Sequence, residues 1–197
     1  MAHYYTDNQD LESKPRTINF DFRGNQISFK SDIGVFSKDS VDYGTRVLLD
    51  TIEDIDGMKI LDVGCGYGVI GISLKTVFKH ISVDMVDVNT RAVHLANENI
   101  KFHHLDNLVA FKSNAYEQVT DMYDMILSNP PVRAGKQVVF DILEGAYEHL
   151  KVGGILRIVL QKKQGAPSAK TKMEEVFGKC EILKRDKGYY ILQSVKE

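Results

Sequence analysis

The chain has 197 residues, enough for one full α/β domain and too few for two ordinary ones. Its 43% hydrophobic and 26% charged residues are globular proportions, and no apolar run approaches the ~20 residues of a membrane-spanning helix. The formal net charge of −2 argues against a protein that coats nucleic acid over its whole surface. The charge is uneven, however. Residues 151–197 carry 11 Lys and Arg against 5 Asp and Glu, whereas residues 1–150 carry 14 against 22. A basic C-terminal quarter of this kind can hold phosphates or simply be a solvated surface.

Residues 1–14 are polar and lack an apolar signal core, so a cytoplasmic protein is expected, with residues 1–15 a flexible arm. Two short alternating runs, 17–23 and 26–30, joined at Gly24-Asn25, predict a β-hairpin. Asp39 or Ser40 is placed to cap a helix running to about Ile52. From Lys59 onward strand and helix alternate. Strands are expected at 59–63, 82–87, 108–112, 123–128 and 154–161, with helices at 69–78, 90–102 and 138–150 between them, and a short helical piece after Asn114. A helix near 169–177 precedes strands at 180–185 and 189–195, joined by a tight Asp186-Lys187-Gly188 turn. The pattern predicts a doubly wound, seven-stranded, mostly parallel sheet with an antiparallel C-terminal edge hairpin, plus a small N-terminal hairpin. Residues 16–197 then form a single domain, with 16–56 as hairpin and helix and 57–197 as the ligand-binding core. Cys65 and Cys180 are far apart and no His-x-x-x-His pair exists. His103 and His104 are adjacent and point apart, so neither a metal site nor a disulfide framework is expected.

Two motifs carry chemistry. The first is Leu61-Asp62-Val63-Gly64-Cys65-Gly66-Tyr67-Gly68, between an apolar strand and an amphipathic helix. Glycines there let the backbone turn sharply and let a ligand approach the main chain. Gly66-x-Gly68-x-x-Gly71 matches the dinucleotide fingerprint, which alone is weak. The longer spacing Asp62-x-Gly64-x-Gly66-x-Gly68 resembles the S-adenosylmethionine (SAM) loop of class I methyltransferases. Asp62 would fix the loop and reach the amino end of a methionine moiety. Asp87 ends the second strand of the core at the separation where an acid meets ribose hydroxyls. Val88 would lie on the adenine face, with Asn114 and Ala115 at its edge. Asp87 as a helix cap and Asn114 as a turn residue are the plainer readings.

The second motif is Ser128-Asn129-Pro130-Pro131, at the carboxyl end of the strand expected beside the first, where open sheets bind ligands. Dehydrogenases have no use for it. It resembles the Asn/Asp-Pro-Pro-aromatic motif of methyltransferases acting on planar nitrogens. The lone pair of such a nitrogen is delocalised, so it attacks a methyl sulfonium poorly. Two acceptors, Asn129 Oδ1 and the Pro130 carbonyl, could grip its N–H bonds, while Pro130 and Pro131 stiffen the turn. The aromatic that often follows is Val132 here. Stacking must therefore come from elsewhere, with Phe36, Phe140, Tyr4 and Tyr5 as candidates. Arg133 and Lys136 follow and could hold phosphates of a target nucleotide.

Gly34-Val35-Phe36-Ser37, Asp42-Tyr43-Gly44-Thr45, the Asp62 loop and Ser128-Asn129-Pro130-Pro131 together resemble the RsmC-type small-subunit ribosomal RNA guanine-N2 methyltransferases, from about Arg16 to Val195. Known two-domain members carry a degenerate methyltransferase domain in front. This chain resembles the catalytic half, and His3-Tyr4-Tyr5 resembles the start of short bacterial relatives. The resemblance implies a Rossmann-like class I fold, with SAM as donor and S-adenosylhomocysteine as product. It implies a guanine exocyclic amine in 16S rRNA as substrate, and ribosomal RNA or the small ribosomal subunit as partner. A monomer without membrane association is expected. Phe36 and Ser37 would lie beside the cofactor, with Cys65 among the loop contacts and Val132, Arg133 and Lys136 toward the substrate. Three alternatives stay open: methylation of protein glutamine N5 or adenine N6, a non-catalytic SAM- or RNA-binding module, and a nicotinamide oxidoreductase.

Overall fold

The computed structural model describes Thr6 and residues 12–197. Tyr4, Tyr5 and most of the expected N-terminal arm lie outside the described residues. Strands β1 (Arg16–Phe22) and β2 (Asn25–Ser31) form the expected hairpin, burying Ile18, Phe20, Phe22, Ile27 and Phe29 on one face. Its turn is Arg23-Gly24, one residue earlier than expected. Both residues have positive φ (53° and 77°), as a two-residue hairpin turn requires, while Asn25 opens β2 opposite Phe22. Arg23 tolerates the position because its side chain is tied down: it stacks over Phe22 and Phe78 and donates to the Ile52 carbonyl.

Helix α1 (Tyr43–Leu49) starts later and stops earlier than expected. Its cap is Asp42, whose side chain accepts from the Thr45 N–H, whereas Asp39 is occupied by an ion pair with Arg16. The core follows as β3 (Lys59–Val63), α2 (Val69–Val77), β4 (Ser82–Asp87), α3 (Thr90–Phe102), β5 (Leu108–Lys112), β6 (Tyr123–Ser128), α4 (Lys136–His149), β7 (Leu150–Gln161), α5 (Ala166–Phe177), β8 (Glu181–Asp186) and β9 (Tyr189–Val195). The expected helical piece after Asn114 is only a turn, closed by Glu117 N–H to the Asn114 carbonyl and Val119 N–H to the Tyr116 carbonyl.

The seven-stranded sheet has the order β5-β4-β3-β6-β7-β9-β8. Strands β3 to β7 are parallel to their neighbours, and β9 runs antiparallel to both β7 and β8. The chain travels outward one way from β3 through β4 to β5, then returns and travels the other way through β6 to β7. That reversal opens a crevice above the carboxyl ends of β3 and β6. The hairpin, α1, α2 and α3 build the core on one face, and α4 and α5 build it on the other. Helix α2 sits tight on β4 because position 71 has no side chain: a Cβ on Gly71 would lie 2.5 Å from Met85 Sδ. The buried Asn99 joins the hairpin to the core, accepting from Lys30 N–H at 2.7 Å and donating to the carbonyls of Lys30 and Tyr67.

Candidate active site

The glycine loop crosses the mouth of the crevice with Gly64 and Gly66 at φ 78° and 56°, which side-chain-bearing residues rarely adopt. A Cβ on either would meet nothing within 4 Å, so both present bare backbone to open space. Asp87 pins this loop: one carboxylate oxygen accepts from Gly66 N–H at 2.9 Å and the other from Asn89 N–H at 2.9 Å. Burial pushes its carboxyl up to about 6, against the pull of those amides. A carboxylate offers about four acceptor directions, so two remain for a diol. Below the loop opens a cavity of about 450 Å³ lined by Gly64, Gly66, Asp87, Val88, Asn114 and Ala115, among others. Asp87, Glu117 and Asp141 reach its wall, and no Lys or Arg does. The expected cofactor residues on β3, β4 and β5 thus converge.

Asp62 is the exception, because it does not line this cavity. It lies fully buried beneath the loop, and neither carboxylate oxygen has a hydrogen-bond partner among the described residues. Burial first, and the charge of Asp87 second, push its carboxyl up to about 8, with only the Gly71 amide pulling the other way from outside hydrogen-bond geometry. Two carboxyls raised by burial under one loop would both be drawn toward ionisation by a cation placed beside them. Cys65 faces a narrow gap of about 30 Å³ beside the loop, and burial raises its thiol well above the ordinary value, which suits contact and not nucleophilic attack.

Across the crevice, Ser128 Oγ donates to the Val63 carbonyl at 2.7 Å and fixes the end of β6 against β3. Asn129 follows and forms the partition between the first cavity and a second one of about 520 Å³. Its Nδ2 donates to Asp42 Oδ2 at 2.9 Å and to Thr45 Oγ1 at 2.9 Å. An ionised carboxylate only accepts, so the amide cannot turn over without setting Oδ1 against Asp42. Both amide hydrogens are spent, and Oδ1 is the acceptor left over. The other expected acceptor, the Pro130 carbonyl, already takes the Val132 N–H at 2.8 Å and keeps one lone pair. Asp42 and Thr45 are functional residues that the sequence reading missed. The signal was present in Asp42-Tyr43-Gly44-Thr45, but nothing in the chain tells that a cap 87 residues upstream faces Asn129.

The second cavity is walled by Ser37, Asp42, Val132, Arg133, Gln161 and Tyr189, among others. Phe36 borders both cavities, and Tyr189 adds a second aromatic. These two rings stand where the residue after the prolines, Val132, supplies none. The Phe36 loop is held by Tyr67 Oη on the Ser37 carbonyl (3.1 Å) and Asn89 Nδ2 on the Gly34 carbonyl (2.7 Å), with Ser37 at φ 55°. Two residues expected on the substrate side line neither cavity. Phe140 is sandwiched between Lys136 and Lys172, at 4.9 and 5.0 Å from their ammonium nitrogens, on the flank of α4. Lys136 lies over that ring and not in the cavity wall, so only Arg133 of that pair lines the cavity. Among the described residues no group of three or more His, Cys, Asp or Glu is arranged for a metal, and no helix is long and apolar enough to cross a membrane.

A sheet reversing beside a glycine loop, with an amide-bearing turn across the crevice, is the arrangement of the class I SAM-dependent methyltransferases. The chain belongs to the family described as Methyltransferase small domain, whose profile matches residues 26–193. It is 46% identical over 198 residues to the Bacillus subtilis protein YbxB, itself uncharacterized, covering 98% of each. It is 34% identical over 175 residues to ribosomal RNA small subunit methyltransferase C of Erwinia tasmaniensis, and spans about half (50%) of that relative's length. Among solved structures it resembles a T. thermophilus 16S rRNA N2 methyltransferase (RsmC) in complex with AdoMet and guanosine. The TM-score is 0.86 at 26% identity, covering 95% of this chain and 52% of that one.

Proposed function

We propose that this protein methylates the exocyclic N2 of a guanine in 16S rRNA, using SAM as donor. The carrying observation is Asn129, whose amide is turned by Asp42 and Thr45 so that Oδ1 is left as an acceptor at the partition between an anionic, glycine-roofed cavity and an aromatic-flanked one. The first cavity fits SAM. Asp87 suits the ribose diol, Val88 and Ala115 offer an apolar slot for adenine, and the orphaned Asp62 beneath the loop would give up its proton to pair with the ammonium of the methionine end. The RsmC structure with AdoMet and guanosine supports the pairing of ligands.

When bound, SAM supplies an electrophilic methyl on a positive sulfonium. Asn129 Oδ1 accepts from one N2–H of guanine, and the remaining lone pair of the Pro130 carbonyl suits the other. Together they turn the nitrogen lone pair out of conjugation with the ring. SAM held there would supply that methyl to N2, keep the electrons of its S–CH3 bond on sulfur and leave as S-adenosylhomocysteine. The nitrogen then becomes cationic, is stabilised by the same two oxygens, and loses its proton to water. Phe36 and Tyr189 hold the guanine plane, with Val132 as aliphatic contact. We further read residues 16–197 as one catalytic unit, working as a cytoplasmic monomer on rRNA or the small ribosomal subunit.

The test is to incubate the purified protein and SAM with unmodified 16S rRNA and with small subunits, then digest to nucleosides for mass spectrometry. N2-methylguanosine is the expected product. N6-methyladenosine, or methyl transfer only to protein glutamine, would replace this reading with one of its planar-nitrogen alternatives.

A further inference from the structure

The positive charge of residues 151–197 is not spread over the surface. Lys151, Lys170, Lys172, Lys179 and Lys184 each face a carboxylate: Asp124, Glu174, Glu144 with Glu175, Glu181 and Asp50 respectively. Arg157 is spent on Gln193 and Thr51, and Lys196 on the Tyr147 carbonyl. Besides Arg157 and Lys196, four cations of the segment have no carboxylate partner among the described residues: Lys162, Lys163, Arg185 and Lys187. Arg185 lies over the Tyr190 ring at the sheet edge.

The other three gather at one place. Lys162 and Lys163 are exposed on the 3-10 turn Lys162–Gln164, which directly follows Gln161 and includes Gln164, both in the wall of the second cavity. The Lys162 N–H donates to the Gly188 carbonyl at 2.8 Å, tying that turn to the β8–β9 turn that carries Lys187. Lys187 is exposed, with its ammonium 4.8 Å over the Tyr43 ring, and Tyr43 packs on Tyr189 at 5.7 Å, again at the cavity wall. Arg133 and Lys38 line the same cavity. The carboxylates nearby are Asp186, Asp39 (paired with Arg16) and Asp42 (on Asn129 and Thr45). Exposed ammonium groups without a carboxylate partner, on two cross-linked turns at the lip of a base-sized pocket, suit the phosphates that flank an inserted nucleotide.

We propose that Lys162, Lys163 and Lys187 form an RNA-backbone clamp that presents the target nucleotide to the second cavity. This rests on the rRNA reading above. It makes the basic C-terminal quarter a local device and not a general surface charge.

The test compares two triple variants of equal net charge: Lys162→Ala/Lys163→Ala/Lys187→Ala at the rim, and Lys151→Ala/Lys170→Ala/Lys179→Ala elsewhere. Binding of a 16S rRNA transcript is measured by filter retention from 50 to 300 mM KCl, with SAM affinity confirming that both variants fold. The rim triple should bind RNA at least tenfold more weakly at 100 mM KCl. Its slope of log K against log salt should be shallower by about 2, near 0.7–0.9 per lost phosphate contact. The other triple should stay within about twofold of the unmodified protein. Equal loss in both triples, or none in the rim triple, overturns the clamp. If the unmodified protein makes N2-methylguanosine in that outcome, only the clamp falls. If the unmodified protein neither binds nor methylates the transcript, the rRNA reading falls with it.

Discussion

The two cavities on either side of Asn129 are built from opposite materials. The first is roofed by glycine backbone and lined by Asp87, Glu117 and Asp141 with no cation. The second is open, flanked by Phe36 and Tyr189, and mixes Lys38 and Arg133 with Asp39 and Asp42 in its wall. A cation is therefore drawn to the first cavity before any specific contact forms. They share a wall of Phe36, Asn129 and Pro130, and the orientation of the Asn129 amide comes from the capped start of α1 and not from the motif in which it sits.

The sharpest way to break this division of labour is at the partition. Asn129→Ala should cut methyl transfer by about 10²–10³-fold, the typical loss for one preorganised transition-state contact, while SAM affinity stays within a few fold. Steady-state kinetics beside calorimetric SAM titration would show it. A parallel loss of SAM binding would mean that Asn129 serves the first cavity instead.

On the cofactor side, Asp87→Ala should weaken SAM by about 1–3 kcal/mol, the usual cost of losing charged hydrogen bonds, with part of that loss coming through the released Gly66 loop. The ionised form does the binding, and burial sets its carboxyl at about 6 in the free protein. SAM affinity should therefore fall as the pH drops through 6. A flat profile between pH 5 and 8 would remove Asp87 from the ribose.

The amide switch gives a smaller effect. Thr45→Val removes one acceptor from Asn129 Nδ2 without changing shape, and should lower kcat about tenfold, as loss of an orienting partner does, with KM for SAM unchanged. Thr45→Ser should restore kcat. Asp42→Ser keeps a helix cap but is too short to reach Asn129, and should behave like Thr45→Val. Recovery of kcat in neither direction would reduce both residues to structural parts of α1.

The smallest effect is on stability and has the opposite sign. Asp62 keeps its proton in the folded, SAM-free protein up to about pH 8, whereas an unfolded carboxyl loses it near the ordinary 3.8. Between those values the folded state binds more protons, so raising the pH costs stability until the penalty is complete above 8. Asp62→Asn removes that penalty. It should gain about 1–3 kcal/mol at pH 9, read as a rise in Tm over the unmodified protein that shrinks toward pH 4. SAM affinity should drop in the same variant. A Tm difference that does not change with pH would mean that Asp62 is not held protonated.

The two cavities were not equally legible in the sequence. The first was written in consecutive residues: glycine spacing, an acid at the end of the next strand, a turn after the third. Backbone conformation and strand ends are local, so Gly64, Gly66, Asp87, Val88, Asn114 and Ala115 converge as expected. Asp62 was expected at the cofactor but sits buried beneath the loop and not in the cavity wall. The second cavity is assembled from the Phe36 loop, the start of α1, the end of β7 and the start of β9, which only the folded sheet brings together. That is why Tyr189, Asp42 and Thr45 were missed, and why Phe140, close to the prolines along the chain, was considered although it sits on the far side of α4. Two boundaries shifted for similarly nonlocal reasons, since Asp39 was drawn off by Arg16 and the hairpin turn by the anchoring of Arg23.

A co-crystal with S-adenosylhomocysteine and guanosine tests the partition most directly. The expected result is the thioether sulfur in the glycine-roofed cavity and the guanine in the aromatic-flanked one. Asn129 Oδ1 should lie within hydrogen-bond distance of N2, with Nδ2 still on Asp42 and Thr45. A guanine seated elsewhere, or an amide turned to present Nδ2 to the base, would contradict it.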